Sequence, residues 1–487
     1  MFNLVTYFAG LTCTDPSAIR LIMTLFLSYP LSIVFRKRFH GRSPVSQHLY
    51  FTIVGACLVM FNYGSDVWHS FLDISICYLL CRYLAGTALS LFLAFAVFMG
   101  HLLVGYIYTA TDGYDILWTM PHCILTHRLI GLVWDVYDGQ KSKASLEHDQ
   151  RITALQTPPS LLETLGYATF FGSFLVGPQF PMTRYRKFVA GEFGNPEGSA
   201  PESIKACLVR LVPGVLFLMV HAGLSIYLPT EYLLRADFRN KSFLTRLLIS
   251  GIWYRNMIFR YQAVWLITEG SCILSGVAHN GWDDYGRPLW DGVKNIHNRH
   301  FECAILFRHI AESFNYNTNL WVRQYIFKRL KFLGSKSASQ LLTLMFLALW
   351  HGLYSGYFAC FLYEFACIHT ERVLIAALDR FPKFRQLIDS AYVYPFTWTV
   401  QKLWVHFHCT WGFIPFAALS LNRFTQIYSD LYWYGYLSLG AIFIFANIIC
   451  VTVRKPKLER DDNAKFNDCS STGKYRISAE RNAKKNM

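Results

Sequence analysis

The chain has 487 residues, of which 53% are hydrophobic, 17% aromatic and only 16% charged. A soluble globular domain carries about a quarter charged residues, so this composition excludes an ordinary soluble fold and indicates an integral membrane protein. Much of the formal net charge of +15 sits in RKRFHGR (36–42), RYRK (184–187), KRLK (328–331) and the tail beyond Val453; such clusters beside apolar runs mark the cytosolic side or meet an anionic substrate, and no nucleic acid is implied.

A spanning helix needs about 20 mostly apolar residues. In chain order such runs lie near 20–35, 48–63, 67–84, 86–109, 115–133, 160–181, 206–229, 247–268, 338–363, 401–421 and 431–453. About eleven runs predict an all-α, polytopic transmembrane helical bundle. The first is short and contains Pro30, and several carry Arg, His or Asp, which places them inside the bundle where partners exist. No signal-peptide cleavage pattern precedes the first run. With RKR after it and a basic tail after the last, an odd number of spans puts the short N-terminus in the lumen and the C-terminus in the cytosol. The thirteen cysteines form no CxxC pair and mostly lie in apolar runs, so buried thiols are expected, with no disulfide framework and no zinc site.

Residues 1–453 thus form one membrane-embedded domain, and 454–487, rich in Lys, Asn, Ser and Asp, are expected to be a disordered cytosolic tail. The tail ends Lys484-Lys485-Asn486-Met487, which looks like the dilysine signal that returns membrane proteins to the endoplasmic reticulum. Asn240-Lys241-Ser242 is a glycosylation sequon whose side of the membrane is open. Lipid-facing and subunit-facing surfaces are equally apolar, so a homo-oligomer is compatible with the sequence.

Between 269 and 337 the apolar pattern gives way to polar and aromatic sequence, and IFKRLKF suggests amphipathic helices at the cytosolic interface. Two patterns compete for chemistry. His279 and Asp284 match the H-x4-D spacing of glycerophosphate-type acyltransferases, which also carry a PEG element like Pro196-Glu197-Gly198. There the order is reversed, PEG following the His-Asp motif, and such a pair arises by chance in a chain with 16 His. The stronger pattern joins FNYNTNLWVRQYIFKRLKFLGSK (314–336) to LALWHG (347–352), whose His351 lies in a stretch free of charge. A neutral imidazole there can take the proton of an attacking hydroxyl, and a nearby amide can hold a carbonyl or orient a substrate.

These two segments, together with WTMPHCILTHRLIGLVWDVYDG (118–139) and HNGWDDYGRPLWDG (279–292), resemble the membrane-bound O-acyltransferase family. The likeness covers about two thirds of the chain and is nearest to the branch that acylates lysophospholipids. It implies a fold with interfacial helices and an internal substrate tunnel. By residue it places the family's catalytic His on His351 and its Asn on Asn315, with Asn317 and Asn319 as near alternatives. It implies transfer of a fatty acyl group, polyunsaturated by preference, from acyl-CoA to the free hydroxyl of a lysophospholipid, chiefly lysophosphatidylcholine. Acyl-CoA is then a co-substrate, no cofactor or metal is needed, and membrane lipids are the other partners. Arg323, Lys328, Arg329 and Lys331 are expected to meet the CoA phosphates, with Trp321 or Tyr325 near the adenine or pantetheine. A sterol, diacylglycerol or protein acceptor is the alternative. A transporter, whose intramembrane His would be partnered by Asp or Glu, is disfavoured by the few acids in the long runs.

Overall fold

The computed structural model describes residues 2–454 apart from 13, 112, 114, 196, 197 and 199. The expected disordered tail with its dilysine signal, and Pro196-Glu197 of the PEG element, lie outside the described residues. Among those described the chain is helical, with a single isolated bridge between Trp282 and Pro288 and no strand.

Helix α1 (Pro16–Arg38) starts where the Asp15 carboxylate accepts from the Ser17 N–H at 2.6 Å with Pro16 at the first helical position. Helix α2 (Pro44–Tyr63) starts the same way from Ser43. Helices α3 (Val67–Tyr83), α4 (Ala88–Tyr108), α5 (Thr119–Gly139), α6 (Ile204–Tyr227) and α7 (Phe243–Ser275) follow. The second half holds α8 (Tyr316–Tyr325), α9 (Lys336–His351), α10 (Ser355–Leu378), α11 (Tyr394–Ala418) and α12 (Tyr434–Thr452). Five helical stretches are long and apolar enough to cross a membrane, namely α1, α2 with α3, α4, Ile204–Leu234 and α12. They form the outer surface. On α6, Ile204, Leu208, Val212 and Leu216 make an exposed stripe at four-residue spacing, while the other face packs along α7, where a Cβ on Gly214 would touch Leu266 and Ile267.

Helix α5 lies inside and is buried almost all round, polar residues included: His122, His127, Arg128, Asp135 and Asp138. Buried acids also stand at Asp73 on α3, Glu269 on α7 and Glu371 on α10, so the long helices are less poor in carboxylates than their apolar averages suggest.

Two of the eleven expected spans are not single helices. Run 160–181 is helical only over Leu161–Ala168, then turns through Gly172 and Gly177-Pro178. That irregular backbone is almost wholly buried, and the Arg128 guanidinium satisfies it. It donates to the Tyr167 and Ala168 carbonyls at 3.0 and 3.2 Å, to Ser173 Oγ at 2.8 Å and to Gln179 Oε1 at 3.1 Å. Non-helical backbone at membrane depth survives only where protein supplies such partners. Run 338–363 is two helices, α9 and α10, which part at Gly352 (φ 137°).

Candidate active site

The break at Gly352 decides where His351 points. His351 is the last residue of α9, and Gly352 takes a backbone conformation that a side chain rarely adopts, with a Cβ there only 3.1 Å from the Tyr357 ring. Helix α10 then starts against the end of α11: the Gly356 N–H donates to the Leu419 carbonyl at 2.8 Å, and a Cβ on Gly356 would lie 2.0 Å from Pro415 O. The imidazole sits among rings, 5.5 Å from Phe361, 5.0 Å from Phe416 and 5.6 Å from Tyr357. Its neighbour Trp350 is held three ways. The Tyr106 hydroxyl donates to its carbonyl at 2.9 Å, its indole N–H donates to the Cys123 carbonyl at 2.7 Å, and the His127 ring stacks on it at 4.1 Å.

His351 lines a cavity of about 610 Å³ walled by α1, α5, α7, α9, α10, α11, α8 and the segment before it. Asn315 lines the same cavity. Among the described residues neither the His351 imidazole nor the Asn315 amide has a hydrogen-bond partner. Asn315 stands just ahead of α8 in a left-handed conformation (φ 49°, ψ 45°) that Asn tolerates better than most residues. Backbone bonds clamp it on both sides, from Tyr316 N–H to the Asn295 carbonyl (2.8 Å) and from His297 N–H to the Ser313 carbonyl (2.9 Å). Glu269 fixes that strap in turn: one carboxylate oxygen accepts from the N–H groups of Asn295 (2.6 Å) and Ile296 (3.1 Å), and the other pairs with Arg210 at 3.3 Å.

The alternatives separate on geometry. Asn319 lines the cavity but spends its amide N–H groups on the carbonyls of Ala311 (2.7 Å) and Phe314 (2.9 Å). Asn317 is not among the lining residues, nor are His279 and Asp284.

Of the expected site residues, His351 and Asn315 reach the cavity, and Trp321, Arg323, Tyr325, Lys328, Arg329 and Lys331 do not. Trp321 is buried and stacks on His127 at 4.0 Å. The buried Tyr325 hydroxyl donates to Asp135 at 2.7 Å. Arg329 forks onto the fully buried Asp138, Lys328 pairs with Asp149, and Lys331 pairs with Glu147. Instead of presenting a row of free cations, the segment is fastened to α5 and to the short helix His148–Thr153 after it, while Arg323 is exposed.

Outside the cavity, donor atoms of Asp73, His101 and His122 lie within 4.8 Å of one another, a spacing that could hold a metal ion. Both Asp73 oxygens already meet imidazole nitrogens, at 2.8 Å (His101) and 3.0 Å (His122), and His69 bonds His101 at 2.8 Å. Both carboxylate oxygens are therefore taken up by imidazoles, although His122 Nδ1 has no partner among the described residues. The carboxylate–imidazole pairing that a proton relay would use occurs here and is absent at His351.

Sequence reading missed Glu269, Gly352 as a helix break, and the clamp of Tyr106, Cys123 and His127 around Trp350. An acid near the end of the apolar α7 was the one visible signal.

The family model described as "MBOAT, membrane-bound O-acyltransferase family" matches residues 103–417. The chain is 40% identical over 445 residues to lysophospholipid acyltransferase 5 of Bos taurus, covering 91% of this chain and 92% of that protein. It is 39% identical over 445 residues to the Homo sapiens protein of that name (91% of each). To the Caenorhabditis elegans one it is 36% identical over 449 residues, 92% of this chain and 95% of the relative. A family match over most of the chain, together with identity along nearly its full length, means that this protein belongs to the membrane-bound O-acyltransferase family and is an acyltransferase.

Proposed function

We propose that the protein is a lysophospholipid O-acyltransferase of the endoplasmic reticulum membrane, multi-pass with a cytosolic C-terminus. It moves a fatty acyl group, preferentially polyunsaturated, from acyl-CoA to the free hydroxyl of a lysophospholipid, chiefly lysophosphatidylcholine. The observation that carries this reading is that an imidazole and an amide, both without partners among the described residues, line one largely apolar cavity inside a membrane helix bundle. Relatives named lysophospholipid acyltransferase 5 support the acceptor class.

In the reaction, a His351 ring nitrogen takes the proton of the acceptor hydroxyl as its oxygen attacks the thioester carbon. The Asn315 amide N–H donates to the carbonyl oxygen, where negative charge develops in the tetrahedral intermediate. That intermediate collapses by breaking the carbon–sulfur bond, and the proton held by His351 leaves with CoA as its thiol. The transfer is direct and needs no nucleophilic side chain, metal or redox cofactor. Along the basic segment, the exposed Arg323 and Lys331 are the cations left for the CoA phosphates; Trp321, Tyr325, Lys328 and Arg329 act by fixing the segment that carries Asn315.

The test is acyl transfer by the purified protein in liposomes, with polyunsaturated acyl-CoA and a panel of lysophospholipids, a sterol and diacylglycerol. Lysophosphatidylcholine should be the best acceptor, and His351→Ala should abolish turnover. Transfer only to a different acceptor class would overturn the assignment.

A further inference from the structure

The charged side chains that line the cavity are Asp15, Asp115, Arg260 and Glu364. Three of them are engaged: Asp15 caps α1, Asp115 accepts from Thr111 Oγ1 at 2.6 Å, and Arg260 donates to the Tyr261 hydroxyl at 3.2 Å. Glu364 has no hydrogen bond or ion pair among the described residues. A carboxylate in an apolar cavity is costly unless something meets it, and at membrane depth such a group marks a function.

Its position defines what could meet it. Glu364 lies one helical turn beyond Phe361, the ring 5.5 Å from His351, so it stands about 4.5 Å further along α10. The preceding residue fixes the level: the Tyr363 hydroxyl is 2.6 Å from His408 Nδ1, and a Cβ on Gly412 would touch the Tyr363 ring at 3.0 Å. Glu364 is thus level with the 408–412 turn of the antiparallel α11. The wall from the base to this level is aromatic, with ring centroids 5.0 Å apart for His351 and Phe416, 5.3 Å for Phe416 and Phe413, and 5.7 Å for Phe413 and Tyr254. Glu364, Tyr254 and Phe413 line one cavity, and a carboxylate together with aromatic faces is the chemistry that binds an alkylated ammonium group.

We propose that Glu364 and the aromatic wall of Tyr254 and Phe413 form the head-group subsite, which takes the cationic end of the acceptor lipid while His351 engages its hydroxyl. This rests on the lysophospholipid reading above and adds which head groups are preferred: those ending in a quaternary or primary ammonium over those ending in a neutral alcohol.

The experiment compares wild type and Glu364→Gln in liposomes, with lysophosphatidylcholine, lysophosphatidylglycerol and a neutral analogue in which carbon replaces the choline nitrogen. Wild type should use lysophosphatidylcholine about tenfold better in kcat/KM than the neutral analogue, a comparison that needs no mutant. Glu364→Gln should raise KM for lysophosphatidylcholine about tenfold with kcat near unchanged, and leave lysophosphatidylglycerol as it was. Equal use of the choline lipid and its neutral analogue by wild type, or an equal effect of the substitution on both phospholipids, would overturn the subsite. Failure of wild type to acylate any lysophospholipid would instead overturn the functional reading on which it stands.

Discussion

Helix α5 and the cavity wall are both polar intrusions into an apolar interior, and they differ in whether the polar atoms are matched. On α5, Arg128 donates to two carbonyls, a hydroxyl and an amide oxygen, Asp135 accepts from Tyr325, and Asp138 receives the fork of Arg329. The exceptions on that helix, among the described residues, are ring nitrogens of His122, His127 and Trp134. On the cavity wall, His351, Asn315 and Glu364 have no partners among the described residues. A matched group holds backbone in place, whereas an unmatched one facing open volume awaits a substrate. Substitutions in the first region should therefore cost stability, and those in the second should cost turnover.

The sharpest break between the two is at His351. His351→Ala removes the base and should lower kcat by about 10⁴-fold, equivalent to about 5 kcal/mol, with little change in thermal unfolding. Substantial residual turnover would move the base elsewhere. Arg128→Ala should do the reverse. It strands buried carbonyls of Tyr167, Ala168 and the Ser173 hydroxyl, and should cost about 3 to 4 kcal/mol, read as a lower unfolding temperature in lipid. Turnover per folded molecule, measured well below that temperature, should stay close to wild type.

Within α8 and its approach, two asparagines four residues apart sharpen the same comparison. Asn315→Ala should lower kcat about 10²-fold, equivalent to about 2.7 kcal/mol, through the oxyanion, and leave stability intact. Asn319→Ala releases two carbonyls and should cost about 1 to 2 kcal/mol of stability, with KM and kcat near wild type at low temperature. If both lower kcat alike, the division of labour between them is wrong.

The helical class and the two expected site residues that reach the cavity, His351 and Asn315, were legible in the sequence, because a charge-free run around His351 and an Asn-rich polar segment differ so strongly from their surroundings. What escaped was conformational. An apolar run that is buried on every side reads the same as helix or as loop, so 160–181 passed for a span although Gly172, Gly177 and Pro178 stood in it. Glycine is common in membrane helices, and nothing local announced that Gly352 would take φ 137° and end α9 at the base. The cations at 328–331 read as phosphate ligands because their carboxylates lie 179 to 191 residues earlier in the chain. Pairing over such distance leaves no periodic trace.

The smallest effect belongs to the exposed end of that basic segment. Lys328 and Lys331 tie it to Asp149, in the short helix His148–Thr153 that follows α5, and to Glu147 at that helix's N-cap. Hydrogen bonds from these lysines, Lys331 to Glu147 and Lys328 to Asp149, hold both carboxyls below their ordinary range. A carboxyl whose folded value is depressed stabilises the fold above its unfolded value, near 4, and that contribution is lost as pH falls through the folded value. The tie should therefore be fully present at neutral pH and weaken only below about pH 4. Lys331 is 62% exposed, so water and salt screen its pair, and Lys331→Gln should cost no more than about 0.5 kcal/mol of stability. If Lys331 also serves the CoA phosphates, the same substitution should raise KM for acyl-CoA several-fold while leaving KM for the lysophospholipid alone, and high salt should reproduce the shift in wild type. An unchanged acyl-CoA dependence would assign Lys331 wholly to the tie, and with it the last cation of the 328–331 run to structure.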